Sequence, residues 1–432
     1  MDLMKELLKK AEQVEIAHLQ SETMMVTFEA NQLKSSRVAE TKGTAVRVVR
    51  DGRMGFAATS DNRAMTKLAA NVLESASYGD RLTFNFPTQE PAKDVRTYDD
   101  RIADMSIARL VEIGRELIEM VLPVEPDARV NINVKRTVQS TSLQNQTGLD
   151  VEFMSSPLTF ELEIDRIMGD DVLIIFDIVG TTEWEADYTG FARKLVEKLV
   201  LARNLTSMKT GNMPVLFSPA GCLALGFPLL DGLNGKNVHM GSSPLRDKVG
   251  EKLLDEKLTI IDDGCLHGRP GSAAYDDEGV PHRRNILIDQ GVLKGFLFDL
   301  RTAAQMGVAS TGNAKRGLFT QPEPNTSNFI IQPGKTPLKE MISSIQEGIL
   351  VEGLLGLGQG NIISGAFSNP LALAFKIEKG ELVGRVKDMS IAGNVYDLLK
   401  KVEAVSQEAE WVYGSIQAPY ILLPDMKVVA KT

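Results

Sequence analysis

The stretch TAVRVVRDGRMGFAATS, residues 44–60, decides the fold class. Val46, Val48 and Val49 lead into Asp51-Gly52, a dipeptide that accepts positive φ at little cost. A second apolar run follows, so the segment reads as a β-hairpin. Directly after it, DNRAMTKLAANVLESASYG (61–79) has helical spacing, a cap at Ser60 or Asp61 and an end near Gly79. Hairpins interspersed with helices, in place of single parallel strands, predict an α+β fold with mainly antiparallel sheet.

The same pattern recurs on both sides. Upstream, Leu3, Met4, Leu7, Leu8, Ala11 and Val14 give residues 1–20 one apolar helical face, and strand character begins at Met24. Residues 80–100 are polar, with Pro87 and Pro91, and read as a linker. An amphipathic helix is expected at 101–122, stopped by Pro123. Strands dominate from Val130 to Trp184, and a helix follows at 188–205. Beyond PVLFSP (214–219), the apolar CLALGFPLLDGL could open as a helix, but Pro228 interrupts it. Two more hairpins turn at Gln290-Gly291 and Lys379-Gly380. Helices are expected at 336–348 and 393–406, and a last strand at 418–430. The domains expected are an N-terminal α/β lobe (1–90), a second α/β lobe (101–205) and a β-rich C-terminal domain (212–432).

The 432 residues carry 43% hydrophobic and 24% charged side chains and a net charge of −9. Basic clusters are as short as Lys9-Lys10 and Arg283-Arg284, which gives nucleic acid no counterion-replacing face. Two cysteines form no disulfide framework and fit a reducing compartment. No run of eighteen apolar residues marks a membrane span, and the charged start is not a signal peptide. A cytoplasmic location is expected.

Chemistry concentrates in IIDDGCLHGRPGSAAYDDEGVPHRR (260–284), with five carboxylates, two of the four histidines and one of the two cysteines. Cys265, His267 and His282 with Asp262 or Asp263 would make a divergent metal site, the basis of an alternative reading as a stand-alone hydrolase. The bland reading is stronger: Asp- and Gly-rich turns use side-chain oxygens to hold their own amides. His18, His239, His267 and His282 make no helical pair. Asp276, Asp277 and Glu278 are adjacent and form no acid/base pair by themselves. Cys222 lies in an apolar run, as a buried inert thiol does. GLNGKN (232–237) and GLLGLGQGN (353–361) lack the spacing of phosphate loops. STGNAKR (310–316) could grip a peptide carbonyl or carboxylate, and GAFSNP (365–370) reads as a turn with an exposed serine.

Together, VRVVRDGRMGFAATSD (46–61), SSPLRDKVGEKL (242–253), the 258–307 block, STGNAKR and GAFSNPLALAFKIEKGELVGRVKDMSIAGN (365–394) resemble the TldD/PmbA (TldD/TldE) family in order and spacing. The resemblance spans nearly the whole chain. It implies two kinds of subunit. The TldD kind carries H-E-x-x-x-H on a helix, completed by a cysteine near the C-terminal block. The PmbA/TldE kind lacks these ligands. Here the window aligns with Phe227, Pro228, Leu229, Leu230, Asp231 and Gly232, without histidine or glutamate, and GAFSNP holds no cysteine. The resemblance therefore implies a PmbA/TldE-like subunit with no catalytic or metal-binding residue of its own. Zinc would sit only in a TldD-like partner, and the pair would act on unfolded peptides. Asp276, Asp277, Glu278, Thr311, Gly312, Asn313 and Arg316 are then cleft or peptide-contact candidates. Self-pairing as a homodimer stays open. The family's older label, modulator of DNA gyrase, describes a genetic effect.

Overall fold

A computed structural model describes residues 2–81, 84–185 and 188–430. The first block holds helix α1 (Leu3–Leu8), strands β1 (Gln13–Glu29), β2 (Gln32–Arg50) and β3 (Arg53–Thr59), and helix α2 (Met65–Ala76). The second holds α3 (Asp100–Ala103), α4 (Ile107–Val121), β4 (Arg129–Asn145), β5 (Asp150–Ser155), β6 (Leu158–Met168), β7 (Asp171–Thr181) and α5 (Gly190–Leu201). These strands share one antiparallel sheet in the order β3-β2-β1-β4-β6-β7, with β5 paired to β4. The long pairing of β1 with β4, from Glu15↔Asn145 to Phe28↔Ile132, runs through both blocks. The linker at 80–100, whose Leu82 and Thr83 lie outside the described residues, does not divide the sheet.

Two local expectations change in the first block. The helix expected over 1–20 ends at Leu8, and its Met1 lies outside the described residues. From Gln13 the chain is strand, because Val14 and Ile16 alternate onto one face and pair with Val48 and Val46. Helix α2 begins at Met65, after a turn in which Asp61 accepts the amide of Arg63.

The sheet is covered on two faces. Val46 and Val48 of β2 and Val14 and Ile16 of β1 pack against Leu3, Leu7, Leu68 and Val72 of α1 and α2. Further along, Val26 and Phe28 meet α4, whose Leu110, Ile113, Leu117 and Val121 recur at helical spacing and are fully buried. Each such side chain contributes about 1.5–3 kcal/mol relative to exposure. Ser106 caps α4 by accepting the amide of Arg109. Gly114 lets the helix seat on Phe28, since a Cβ there would stand 2.2 Å from the ring. On the opposite face, Ala17 and Ala45 meet Leu318 of the C-terminal region.

The C-terminal region adds β8 (Leu205–Thr206), β9 (Gly211–Phe217), α6 (Leu223–Gly232), α7 (Gly235–His239), β10 (Ile260–Asp263), β11 (Arg284–Asp289), β12 (Val292–Leu293) and α8 (Leu300–Met306). Then come β13 (Ala314–Lys315), β14 (Glu323–Pro324), β15 (Phe329–Ile331), α9 (Leu338–Ser343), β16 (Glu347–Leu354) and a 3-10 turn, Ile362–Ser364. Last are β17 (Ala366–Glu378), β18 (Glu381–Val386), β19 (Met389–Asn394), α10 (Val395–Leu398), β20 (Ala404–Val412) and β21 (Ile416–Ala430). Among the described residues twelve strands form the second sheet, with parallel pairs only at β15–β21, β16–β9 and β18–β8. The fold is α+β and mainly antiparallel. The helix expected over 393–406 is one turn, and Ala404 onward joins the sheet beside β21. No helix among the described residues is long and apolar enough to cross a membrane.

Candidate functional site

Two places gather the residues singled out by sequence. The first is the seam between the seven-stranded sheet and the C-terminal region. Here Asp276 folds its own turn: one carboxylate oxygen accepts the amides of Glu278 and Val280, both at 2.9 Å. The other accepts the amide of Ala314 at 3.0 Å. Asp277 accepts the amide of Arg316 at 2.8 Å. The turn thus pins the 313–316 segment. Gly312 has φ +72°, and a Cβ there would stand 2.5 Å from the Pro281 carbonyl, so only glycine fits. Asn313 donates to Asp262 at 2.6 Å, and Thr311 accepts the Phe298 amide at 2.8 Å.

Glu278 points away from the cleft. It accepts from Arg47 at 2.6 Å and from the Leu300 amide at 2.7 Å. Arg47 also grips Glu15 through two bonds, of 2.9 and 2.5 Å, and Arg316 reaches Glu15 at 2.7 Å. All four side chains are buried. Burial works against ionisation of Glu15, but Arg47 and Arg316 outweigh it and hold its carboxyl below the ordinary value. Burial dominates at Asp276, with help from Glu278, and pushes it up to about 8. Glu278 is likewise raised by burial, against the pull of Arg47.

Beside this seam a cleft of about 300 Å³ is lined by Asp276, Asp277, Asn313, Lys315 and His282, and by Gln139 and Phe153 from the sheet. Of the predicted contact residues, Asp276, Asp277 and Asn313 therefore face the cleft. Thr311, Gly312, Glu278 and Arg316 are not on its lining and serve the backbone and the seam. Glu15 and Arg47 were missed by sequence reasoning. Their signal was a charge at an inward position of a strand, Arg47 between Val46 and Val48.

The residues proposed as a divergent metal site do not converge. The Cys265 thiol donates to the His282 carbonyl at 3.2 Å, and burial raises its pKa. His267 Nδ1 accepts the Arg96 amide at 3.0 Å. Burial, with Lys315 nearby, pulls His282 down to about 4. Among the described residues, no three His, Cys, Asp or Glu side chains are grouped to hold a metal ion.

The second place is α6, which contains Phe227 to Gly232. Pro228 sits inside the helix. Its carbonyl accepts from the Tyr396 hydroxyl at 2.9 Å, and Tyr396 also bonds the Ile363 carbonyl at 3.1 Å. This tie brings α6 against the glycine-rich 356–361 loop and the start of β17. Between them lies a pocket of about 430 Å³, lined by Phe227, Pro228, Gln359, Asn361, Phe367 and Asn369 among others. GAFSNP, expected as a turn, is the start of strand β17, held by pairing with β19. The segment that the resemblance aligns with the H-E-x-x-x-H window thus meets it at one cavity. Its described lining offers amides, one serine hydroxyl and apolar groups, with no His, Cys, Asp or Glu. Zinc takes thiolate, imidazole and carboxylate donors, and this lining does not fit it. Cys222, beside α6, is buried and its thiol is raised by burial.

A helix-backed antiparallel sheet is thus seated on a larger β-rich region, and the α6 pocket lies in the latter. The sequence model described as PmbA/TldA metallopeptidase C-terminal domain matches residues 210–430, and that of domain 1 matches 14–76. The chain belongs to this TldD/PmbA family. The crystal structure of TldE from Thermococcus kodakarensis superposes with a TM-score of 0.91 at 28% identity, covering 99% of both chains. An uncharacterized protein of Methanocaldococcus jannaschii is 27% identical over 404 residues, 91% of each chain. A metalloprotease TldD homolog of Haemophilus influenzae is 33% identical over 232 residues, 52% of this chain and 47% of that one.

Proposed function

We propose that this chain is the non-catalytic, PmbA/TldE-like subunit of a zinc metalloprotease that acts on unfolded peptides, in peptide maturation and the degradation of small labile proteins. The supporting observation is the α6 pocket, whose described lining carries amides and apolar groups where the aligned window of catalytic relatives carries zinc ligands. The likeness to TldE across 99% of both chains points the same way. Zinc belongs in this reading to a TldD-like partner. The chain's own contribution is a closed seam and a cleft of about 300 Å³ beside Asp277 and Asn313, in which a peptide would lie. The complex works in the cytoplasm, without nucleic acid: a net charge of −9 supplies no phosphate-binding face.

The test is partner dependence. The chain alone is expected to leave an unfolded peptide intact, and adding a TldD-like subunit is expected to give chelator-sensitive cleavage. Chelator-sensitive cleavage by the purified chain alone contradicts the proposal.

A further inference from the structure

Another cavity, of about 300 Å³, is lined from both sheets and from α5. Lys194, Glu197, Lys198 and Leu201 reach it from one helical face, at spacings of three and four residues. Asp177 comes from β7, Glu352 from β16 and Glu410 from β20. The two ammonium groups are already used. Lys198 lies 2.8 Å from Glu352, which also accepts the Ser218 hydroxyl at 2.9 Å. Lys194 lies 2.9 Å from Glu410.

Asp177 is left over. Its carboxylate takes the amide of the next residue, Ile178, at 2.8 Å, and among the described residues no cation forms an ion pair with it. Burial pushes it up to about 6, against the pull of Lys198 and Lys194, whose ammonium groups are engaged by Glu352 and Glu410. The described lining holds four carboxylates (Asp177, Glu197, Glu352, Glu410) against two lysines, a formal excess of two negative charges. An anion would face that excess, and a neutral ligand would leave Asp177 unpaired. Around the charges the wall is apolar, from Leu338, Ile342, Leu350 and Val412.

We propose that this cavity binds a primary ammonium carried on a short apolar group, with Asp177 as its counter-ion. Its volume is at the lower end of ligand pockets, which suits one small residue. Two sources share this chemistry, a free small amine and the amino terminus of a peptide with an apolar first residue.

Isothermal titration of the full chain with L-leucinamide, with a Leu-Leu-Leu amide peptide and with N-acetyl-leucinamide tests it. The amine forms are expected to bind saturably. The acetylated form should bind about tenfold more weakly or worse, the loss that follows when one partner of a charge pair is removed. Asp177→Asn should lose a similar factor, and Ala220→Phe, which fills the cavity without touching a charge, should do the same. Unfolding midpoints establish that each variant is folded, and either folded variant suffices. Tighter binding of the tripeptide supports the peptide terminus, and binding of leucinamide alone supports a free amine. No saturable binding by the wild-type chain overturns the proposal, as does equal binding of the acetylated form or unchanged affinity in a folded variant. The readout needs no partner and no proteolysis, so its outcome is separate from that of the subunit reading.

Discussion

Arg47 and Glu278 are 231 residues apart in sequence, and their side chains meet at 2.6 Å in a seam closed to solvent. With Glu15 and Arg316 they make a neutral quartet that locks β1 and β2 onto the C-terminal region. Removing one member strands the others. Arg47→Met is expected to cost about 3–5 kcal/mol, since Glu15 and Glu278 lose their main counter-ion while still buried. Urea unfolding measures this. Replacing Glu15, Glu278 and Arg316 by apolar residues of like size in the same chain should recover much of the loss. A single variant with unchanged midpoint would falsify the lock.

The turn that presents Glu278 is protonation-sensitive. Asp276 has an ordinary value of 3.8 and is pushed up to about 8 in the fold. Below about 4 both folded and unfolded chains hold its proton, so it adds no pH dependence there. From about 4 to 8 only the folded chain holds it, so this group's contribution to stability falls as pH rises. Unfolding midpoints at pH 5 and pH 8 should therefore differ more, in that direction, for the wild type than for Asp276→Asn. Parallel pH profiles for the two chains would show that the carboxyl ionises freely.

Gly312 tests the same region by geometry. Gly312→Ala brings a Cβ against the Pro281 carbonyl in a left-handed backbone, at an expected cost of about 1–3 kcal/mol. Thermal unfolding checks it. Gly358→Ala, also at positive φ but with open space around it, is expected to cost less. Equal losses would mean that backbone strain alone sets the penalty, with no role for the Pro281 contact.

His267 is assigned here to a backbone contact. His267→Ala removes the acceptor of the Arg96 amide and should lower stability by about 1 kcal/mol. Its metal content should match that of the wild type, and so should that of His282→Ala. A metal present in the wild type and lost in either variant would return these residues to a metal site.

Much of the framework was legible because it is local. The hairpin turns at Asp51-Gly52, Gln290-Gly291 and Lys379-Gly380 all adopt positive φ, which their glycines favour and Asp51 tolerates, while Gln290 and Lys379 take it against their preference. Where the reading failed, distant pairing had overridden local pattern. Residues 13–20 keep a helix-compatible spacing, yet β1 is held by β2 and β4, more than a hundred residues away in the latter case. Ala404 onward was similarly drawn from helix to strand by β21. The Asp/Gly-rich 262–279 composition read as backbone-holding turns; Asp263 and Asp276 do accept amides of their own turns, whereas Asp262 sits in β10 and accepts the amide of the distant Ser327. The partners Glu15 and Arg47 were not legible as a pair with Glu278, because only the closed seam brings them together. The meeting of α6 with the start of β17 depends in the same way on Tyr396, which no local pattern announces.

The central claim is that this chain supplies no zinc site. Elemental analysis of the purified chain, after dialysis without strong chelator, measures it most directly. Zinc far below one atom per chain is the predicted result, and it sends the search for the metal to a TldD-like partner. Close to one zinc per chain would contradict the account and require donors that neither the α6 pocket nor the Cys265–His282 region presents in this fold.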